Sequence, residues 1–472
     1  MKTLLKIFLL FCFYIFNFID AEAQPSITWN RLYNGPFNWY DESYDICQTS
    51  DGNFIAVGYT RNPNYSICAL KINNYGDTLW FRIIPNNFQL VRRALSVTSL
   101  SSGGCLITGE SDSLFILKLD IWGNVEWYKI IGSSYERGYC ITATADNNFI
   151  ICGFYGLLMK IDENGSIIWK KYYPANLFKS VINSIDGGYI VVGTYSIGSL
   201  SYAKIIKTDT AGKLIWQNIF IVNNSTAAVA VVSLNNSYVI CGMTNAQTGQ
   251  IWENFISKID INGNLYFTKL YVSKNSEYFN DMIKYNDNSL VICSELDSNG
   301  AEPYNISKAY LLDTTGNIKK DRKYFSNETQ YMYSIARVAN GDIIFSGSAR
   351  KQTIGGIDDI WIVRTDSLLN SPNVNISSNE NLLFSKYKLY QNYPNPFNSR
   401  TKIKFESENT NNLELKIYDN LGKMISSYTL NNVQSGNNEI IYDPTNLCSG
   451  IYYYSLSINS KLIQSRKMII IK

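Results

Sequence analysis

The stretch Lys160-Ile-Asp162-Glu-Asn-Gly165-Ser-Ile-Ile-Trp169 decides the fold, because it occurs more than once. It returns as Lys71 to Trp80, Lys118 to Trp127 and Lys207 to Trp216, and in Lys258 to Phe267 with phenylalanine in the tryptophan place. Degraded copies begin at Leu311, with Asp313 and Gly316, and at Arg364, with Asp366 but no glycine. A second element, Asp186-Gly-Gly-Tyr-Ile-Val-Val-Gly193, recurs at Asp51 to Gly58, Ser102 to Gly109, Asp146 to Gly153, Asn235 to Gly242, Asp287 to Ser294 and Asn340 to Gly347. Both series count to seven. Gly58 to Gly347 spans 289 residues in six steps, and a period of about 48 residues is the length of a propeller blade rather than of a solenoid repeat.

Each unit reads as four short strands. Strand a is the apolar stretch before Asp-Gly-Gly, strand b the Tyr-Ile-Val-Val-Gly run, strand c ends in Lys-Ile-Asp, and strand d opens with the tryptophan. The two Asp/Gly segments read as hairpin turns, since aspartate favours the first turn position and glycine tolerates positive φ. Asp162-x-Asn164-Gly165 lacks the further carboxylates of a calcium loop, so no metal site is expected. The seventh unit stops after Asp366 without a strand d, while Ile27-Thr-Trp29-Asn-Arg-Leu-Tyr33 has that pattern and stands unpaired at the start. The expected fold is therefore all-β, a seven-bladed β-propeller whose N-terminal strand seals the last blade and removes the exposed edge. A smaller β-sandwich follows it.

Composition narrows the function. Of 472 residues, 46% are hydrophobic and only 17% charged, enough for a large core, and the net charge of +3 leaves no electrostatic footprint for nucleic acid. With no histidine in the chain, Ser-His-Asp and Cys-His catalysis and His-ligated zinc are excluded. Lys2 and Lys6, an apolar run from Ile7 to Ile19 and Ala21-Glu22-Ala23 before Gln24 read as a signal peptide cut between Ala23 and Gln24, with no transmembrane segment in the mature chain. Cys152, Cys241 and Cys293 recur at one repeat position, too far apart for bridging, and read as small buried hydrophobes.

In this topology the a–b and c–d turns share one face and are short, whereas the d–a and b–c loops share the other and vary. The d–a loops lead to the innermost strands and hold Trp39, Tyr40, Arg92, Arg93, Tyr135, Arg137, Tyr278 and Tyr331. Aromatic and arginine side chains at a channel mouth suit an extracellular glycan or protein ligand. A binding or adhesion module without cofactor is the expectation. The enzyme alternative is a hydrolase using two carboxylates among Asp41, Glu42, Glu136, Glu295, Asp297, Asp358 and Asp359. The repeat departs from the sialidase Asp-box, having Asp-x-x-Gly-x-x-x-Trp in place of Asp-x-Gly-x-x-Trp, and from the quinoprotein repeat, which carries one more residue between Asp and Gly. A structural surface-layer role is the third reading.

Periodicity stops near Ser371, and the chain divides into a signal peptide (1–23), propeller (24–370), linker (371–384) and tail (385–472). From Phe384 onward 11 basic residues face 6 acidic ones, marking a separate basic module. The tail opens with Leu389-Tyr-Gln-Asn-Tyr393-Pro394-Asn395-Pro396-Phe397-Asn398, then Thr401-x-Ile403-x-Phe405. It continues through Ile417-Tyr-Asp-x-Leu421-Gly422-Lys423 and Leu447-x-Ser-Gly450-Ile451-Tyr452 to Lys467-Met468. These ordered motifs resemble the type A C-terminal sorting domain of the type IX secretion system. The resemblance implies an Ig-like sandwich, passage across the outer membrane through that translocon, and removal by a sortase-like protease with the passenger attached to the surface or released.

Overall fold

The computed structural model describes residues 27–35, 40–61, 65–84, 92–111, 113–132, 136–245, 251–297, 305–324, 329–350, 357–372, 387–408, 413–419, 424–458 and 461–472. Ala23, Gln24, Gly422 and Lys423 lie outside them. Among the described residues, seven four-stranded antiparallel sheets succeed one another in blades 1 to 7, at 41–84, 93–131, 138–172, 177–220, 226–271, 277–324 and 329–365. The first six are each ordered a-b-c-d. The seventh takes its strand d from the other end of the chain, where Trp29–Tyr33 pairs antiparallel with Asp358–Thr365, Trp29 opposite Arg364 and Tyr33 opposite Ile360. The chain is a β-propeller closed by its N-terminal strand.

Burial follows strand position. Strands b and c of blade 1, Phe54–Thr60 and Ser66–Ile72, are buried along their whole length because each face meets a neighbouring blade, as expected for runs without polar alternation. Strand d lies outermost and is more exposed, alternating in Leu214–Phe220. The cores sit between blades: Ile55, Val57 and Ala69 of blade 1 pack with Val97, Ile107 and Phe115 of blade 2. Cys152, Cys241 and Cys293 are buried in three different interblade cores as free thiols.

The quoted repeat explains how blades are joined. Trp80 donates its indole N–H to the Ile121 carbonyl in the next blade's c–d turn at 3.1 Å, and Trp29, Trp169 and Trp216 do the same to Asn74, Thr210 and Ile261 at 3.1, 3.2 and 3.1 Å. The turn glycine beneath the ring has φ +76° at Gly123, and a Cβ there would stand 3.0 Å from the Trp80 ring. Glycine is required twice over, by backbone conformation and by the close approach. Four residues after the tryptophan place a tyrosine adds a second clasp: Tyr33 and Tyr271 donate to the carbonyls of Gly76 and Gly316 at 2.7 and 2.5 Å, and Tyr324 to that of Leu369 at 3.1 Å. Blades 5 and 6, which lack the tryptophan, rely on this tyrosine.

The two repeat elements also meet within one blade. The Lys that opens the first element pairs with the Asp that opens the second, Lys71 with Asp51 at 2.7 Å, Lys160 with Asp146 at 2.6 Å, and Lys207 with Asp186. These aspartates are therefore ion-pair partners as well as turn residues. In the c–d turns Asp162 accepts from the N–H of Asn164 and Ser166 at 2.9 and 2.7 Å, an Asx-turn arrangement. Among the described residues no group of three or more His, Cys, Asp or Glu stands close enough to hold a metal ion.

The tail is a small sandwich. One sheet orders Lys388–Leu389, Thr401–Ser407 and Gly436–Tyr442; the other orders Met424–Leu430, Leu413–Tyr418, Gly450–Ile458 and Lys461–Ile470. Alternation in Thr401–Ser407 and Leu413–Tyr418 puts Ile403, Phe405, Leu413, Leu415 and Ile417 in one core with Tyr454, Leu456 and Met468.

Candidate functional site

Strand a of every blade carries one residue more than its partner, at the same point. The register shifts between Ser43 and Asp45, Ala94 and Ser96, Gly138 and Cys140, Phe178 and Ser180, Ala228 and Ala230, Phe279 and Asp281, and Met332 and Ser334. Such a bulge bends the strand and re-aims side chains. The residue after it reaches toward the next blade. Asp45 accepts from the Val97 N–H at 2.8 Å, Ser96 from the Ile141 N–H at 3.1 Å and Asp281 from the Ile335 N–H at 3.2 Å, while Ser334 donates to Asp45 at 2.7 Å. This belt ties the inner strands of blades 6, 7, 1, 2 and 3 to one another. Burial, and then the charge of Asp45, push the Asp281 carboxyl up to about 7.

Above the belt, on the loop face, charged and aromatic side chains from several blades converge. Glu42 accepts from the hydroxyls of Tyr44 and Tyr59, each at 2.8 Å. Arg93 lies over the rings of Tyr59 and Tyr65, 5.1 and 5.7 Å from their centroids. Glu110 joins Arg93 at 3.7 Å to Arg137 at 3.0 Å. Tyr333 closes the arc, 5.1 Å from Tyr44 and stacked on Tyr331 at 6.0 Å. Next to it Asn280 donates to Glu295 at 2.7 Å. Blades 6, 7, 1, 2 and 3 supply this polar, aromatic arc, whereas strand a of blade 5, Thr226–Leu234, has no charged or aromatic residue.

Of the residues expected from sequence, Arg93, Arg137 and Tyr331 stand in this arc. Tyr40 lies at its edge, under the Arg61 guanidinium at 5.4 Å. Tyr278 is on strand a of blade 6, opposite Glu295 in register. Arg92 is buried, its guanidinium 5.3 Å over Tyr128. Trp39 and Tyr135 lie outside the described residues. Of the loop-face carboxylates, Glu136 is held by Lys170 at 2.7 Å, Asp358 by Arg350 at 2.9 Å and buried Asp41 by the Gly35 N–H at 2.7 Å; Asp359 is fully buried, Asp297 ends strand b of blade 6, and Glu42 and Glu295 belong to the arc. Tyr44, Tyr59, Tyr65, Glu110, Asn280 and Tyr333 were not expected. For Tyr44 and Tyr333 the only local signal is the break in alternation at the bulge.

Glu295 is half-buried, and burial pushes its carboxyl up to about 8. A glutamate in the unfolded chain ionises near pH ~4.3. Between those values the unfolded state has released a proton that the folded state retains, so this group lowers stability progressively as pH rises from about 4.3 to 8, and no further above. Glu295→Gln is expected to flatten that decline by on the order of 1–3 kcal/mol. Urea unfolding of both proteins at pH 5 and pH 8.5 checks it, and an unchanged difference between the two pH values refutes the assignment.

The tail's opening motif ties the start of the domain to its last strand. Phe397 is buried, with its N–H on the Ile469 carbonyl at 3.0 Å and its carbonyl taking the Ile471 N–H at 2.9 Å. Asn395 accepts from the Ile469 N–H at 2.7 Å, and buried Asn392 donates to Pro394 and Thr401 at 3.1 and 2.9 Å. Pro394, Pro396 and Asn398 lie exposed around this lock, and Tyr393 is 81% exposed. Gly450, Ile451 and Tyr452 open the strand that pairs with the last one, Tyr452 opposite Met468. Residues 391–472 match the family described as the secretion system C-terminal sorting domain. The tail is a type IX sorting domain. Its presence places the protein on the route through the outer membrane to the cell surface or extracellular space.

The sorting domain is the part of the chain with a family assignment; no curated protein sequence matches the chain. Similar solved structures include the WD40 β-propeller domain of Doa1, at TM-score 0.46 and 14% identity over 71% of this chain and 96% of that one. A protein of unknown function from Bacteroides caccae aligns at TM-score 0.35 and 16% identity over 48% and 81%. PorZ, an essential bacterial surface component of the type IX secretion system of Porphyromonas gingivalis, aligns at TM-score 0.44 and 14% identity over 93% of this chain and 60% of that one. At these scores the likenesses carry no argument about ligand or activity.

Proposed function

We propose that this exported propeller is a non-catalytic recognition module, binding an extracellular glycan or protein ligand at its loop-face channel mouth. The sorting domain (385–472) hands it to the type IX translocon after loss of residues 1–23. A sortase-like protease then releases the propeller (24–370) from the tail within or near the linker (371–384). The observation that carries the reading is the arc of Tyr44, Tyr59, Tyr65, Tyr331 and Tyr333 interleaved with Glu42, Arg93, Glu110 and Arg137. Flat rings beside fixed donors and acceptors are what a sugar or an aromatic-rich protein surface requires.

The test is a binding screen of the mature chain on arrays of glycans and extracellular polymers, with product analysis of each polymer bound. Arg93→Ala and Tyr331→Ala are expected to weaken binding at least tenfold without cleavage in any case. Binding that survives both substitutions would remove the mouth from consideration. One observation favours a hydrolytic reading, the closeness of two carboxyl groups, Glu295, whose burial holds it above the usual carboxylate range, and Glu42, whose charge reaches it, since glycoside cleavage uses a pair of carboxyl groups. Polymer cleavage abolished by Glu295→Gln would be its mark.

A further inference from the structure

The third position of the c–d turn is occupied by Tyr75, Asn164, Ala211, Asn262, Thr315 and Leu368 in six blades, and by Trp122 in blade 2. A turn tip is solvated, and Tyr75 and Leu368 are 61% and 53% exposed there. Trp122 is different, because it is half-buried. Its ring meets that of Tyr453 in the sorting domain, centroid to centroid 4.9 Å, and the Lys467 ammonium stands 5.0 Å over it. The Tyr453 hydroxyl is buried at this seam without a hydrogen-bond partner among the described residues. Strand d of blade 1 (Thr78–Ile84) runs beside the sorting domain's last strand (Lys461–Ile470).

Charge supports the same pairing. Asp77 acts electrostatically on Lys416, and Asp120 and Asp51 on Tyr453, so acidic turn residues of blades 1 and 2 face a basic domain. The like charges of Arg82 and Arg466 repel across the same seam, and the Tyr453 hydroxyl lies close enough to Arg82 to feel its charge.

We infer that the turn face of blades 1 and 2 is a docking surface for the chain's own sorting domain, with Trp122 as its anchor between Tyr453 and Lys467. A cation over an indole and an aromatic pair give such a contact both energy and direction. Two consequences follow from position. The docked tail sits on the face opposite the channel mouth, so the mouth stays open before the tail is removed. Removal of the tail bares Trp122, giving the mature propeller a second, tryptophan-centred surface. Neither consequence depends on what the mouth binds.

The test uses the full mature chain, comparing wild type with Trp122→Ser and Lys467→Ala. Hydrogen exchange at Gly450–Ile458 and at the Asp120 turn is expected to quicken at least tenfold in Trp122→Ser and by a smaller factor in Lys467→Ala. Small-angle scattering should pass from one compact particle to two separated lobes. The melting temperature of the propeller should stay within about two degrees in Lys467→Ala, separating lost docking from lost folding. If Trp122→Ser impairs the propeller itself, Tyr453→Ser puts the same question from the other side. Wild-type scattering that already shows two independent lobes, or exchange unmoved by any of these substitutions, would overturn the inference.

Discussion

Replacing Arg364 by alanine is expected to lower the unfolding free energy of the propeller by about 3–5 kcal/mol, the cost of stripping one partner from a buried ion pair. Arg364 occupies, in blade 7, the place of the repeat lysine. Its side chain is 0% exposed and that of Asp342 only 2%. The guanidinium donates twice to Asp342, at 3.0 and 2.8 Å, and once to the Asn74 carbonyl at 2.8 Å, lying 5.7 Å over Phe54. Asp342 also accepts from the Ile27 N–H at 3.2 Å. The Arg364–Asp342 pair thus holds together the last blade's a–b turn, the entry of the sealing strand and the first blade's c–d turn. Alanine leaves the Asp342 carboxylate buried without its cation, where the ring closes. Arg364→Lys retains a charge but cannot fork to both Asp342 and Asn74, so it should fall between the two. Urea denaturation followed by far-ultraviolet circular dichroism measures the series, and a loss below about 1 kcal/mol for the alanine variant would show that closure does not depend on this residue.

Trp80→Ala is expected to cost about 3–5 kcal/mol, within the range for truncating a large core aromatic. Trp80 is 8% exposed and packs under Gly123, with Arg82 lying 5.6 Å over its ring. Its removal deletes ring contacts and one interblade hydrogen bond together. Trp169 sits at the same repeat position but is only half-buried. Trp169→Ala should therefore cost less, although its partner carbonyl is equivalent. Gly123→Ala should also destabilise, and the Trp80→Ala/Gly123→Ala double variant less than the sum, because the clash with the ring goes when the ring does while the cost of the positive φ and the approach to Arg82 remain. Thermal unfolding of the four proteins measures this, and strict additivity would refute the ring-on-glycine account.

The tryptophans and glycines were readable because each recurs at a constant offset from a turn aspartate. The tyrosine clasp was not, since Tyr33, Tyr173, Tyr271 and Tyr324 share their place with Ile84, Ile131 and Phe220 and so leave no repeat signal. The Asp–Lys pairs were half visible: both residues were noted, one as a turn former and one as the end of a strand. That they touch follows from the pairing of strands b and c, which brings Lys71 opposite Ile55 and so beside the turn that holds Asp51.

At the channel mouth the limit is of another kind. Loop position and residue type suffice to nominate Arg93, Arg137 and Tyr331 for that face, but they nominate Arg92 as well, and Arg92, adjacent to Arg93, faces Tyr128. Strand alternation separates two neighbours that look alike in sequence, and a bulge in each inner strand resets that alternation where it matters most.

What the sequence determined by itself is local and periodic: the blade count, the hairpin turns, the unpaired first strand and the sorting motifs of the tail. Hydrogen-bonded turns and apolar runs are set by residues a few positions apart, so they survive in linear order. Only the tertiary structure decided which unlike residues meet. Ser334 stands 2.7 Å from Asp45 across 289 positions because the ring closes, and Trp122 meets Tyr453 because a turn tip and a sheet of another domain share one seam. Contacts of that kind depend on the closed ring and on the packing of one domain against another, neither of which is expressed in the spacing of residues along the chain.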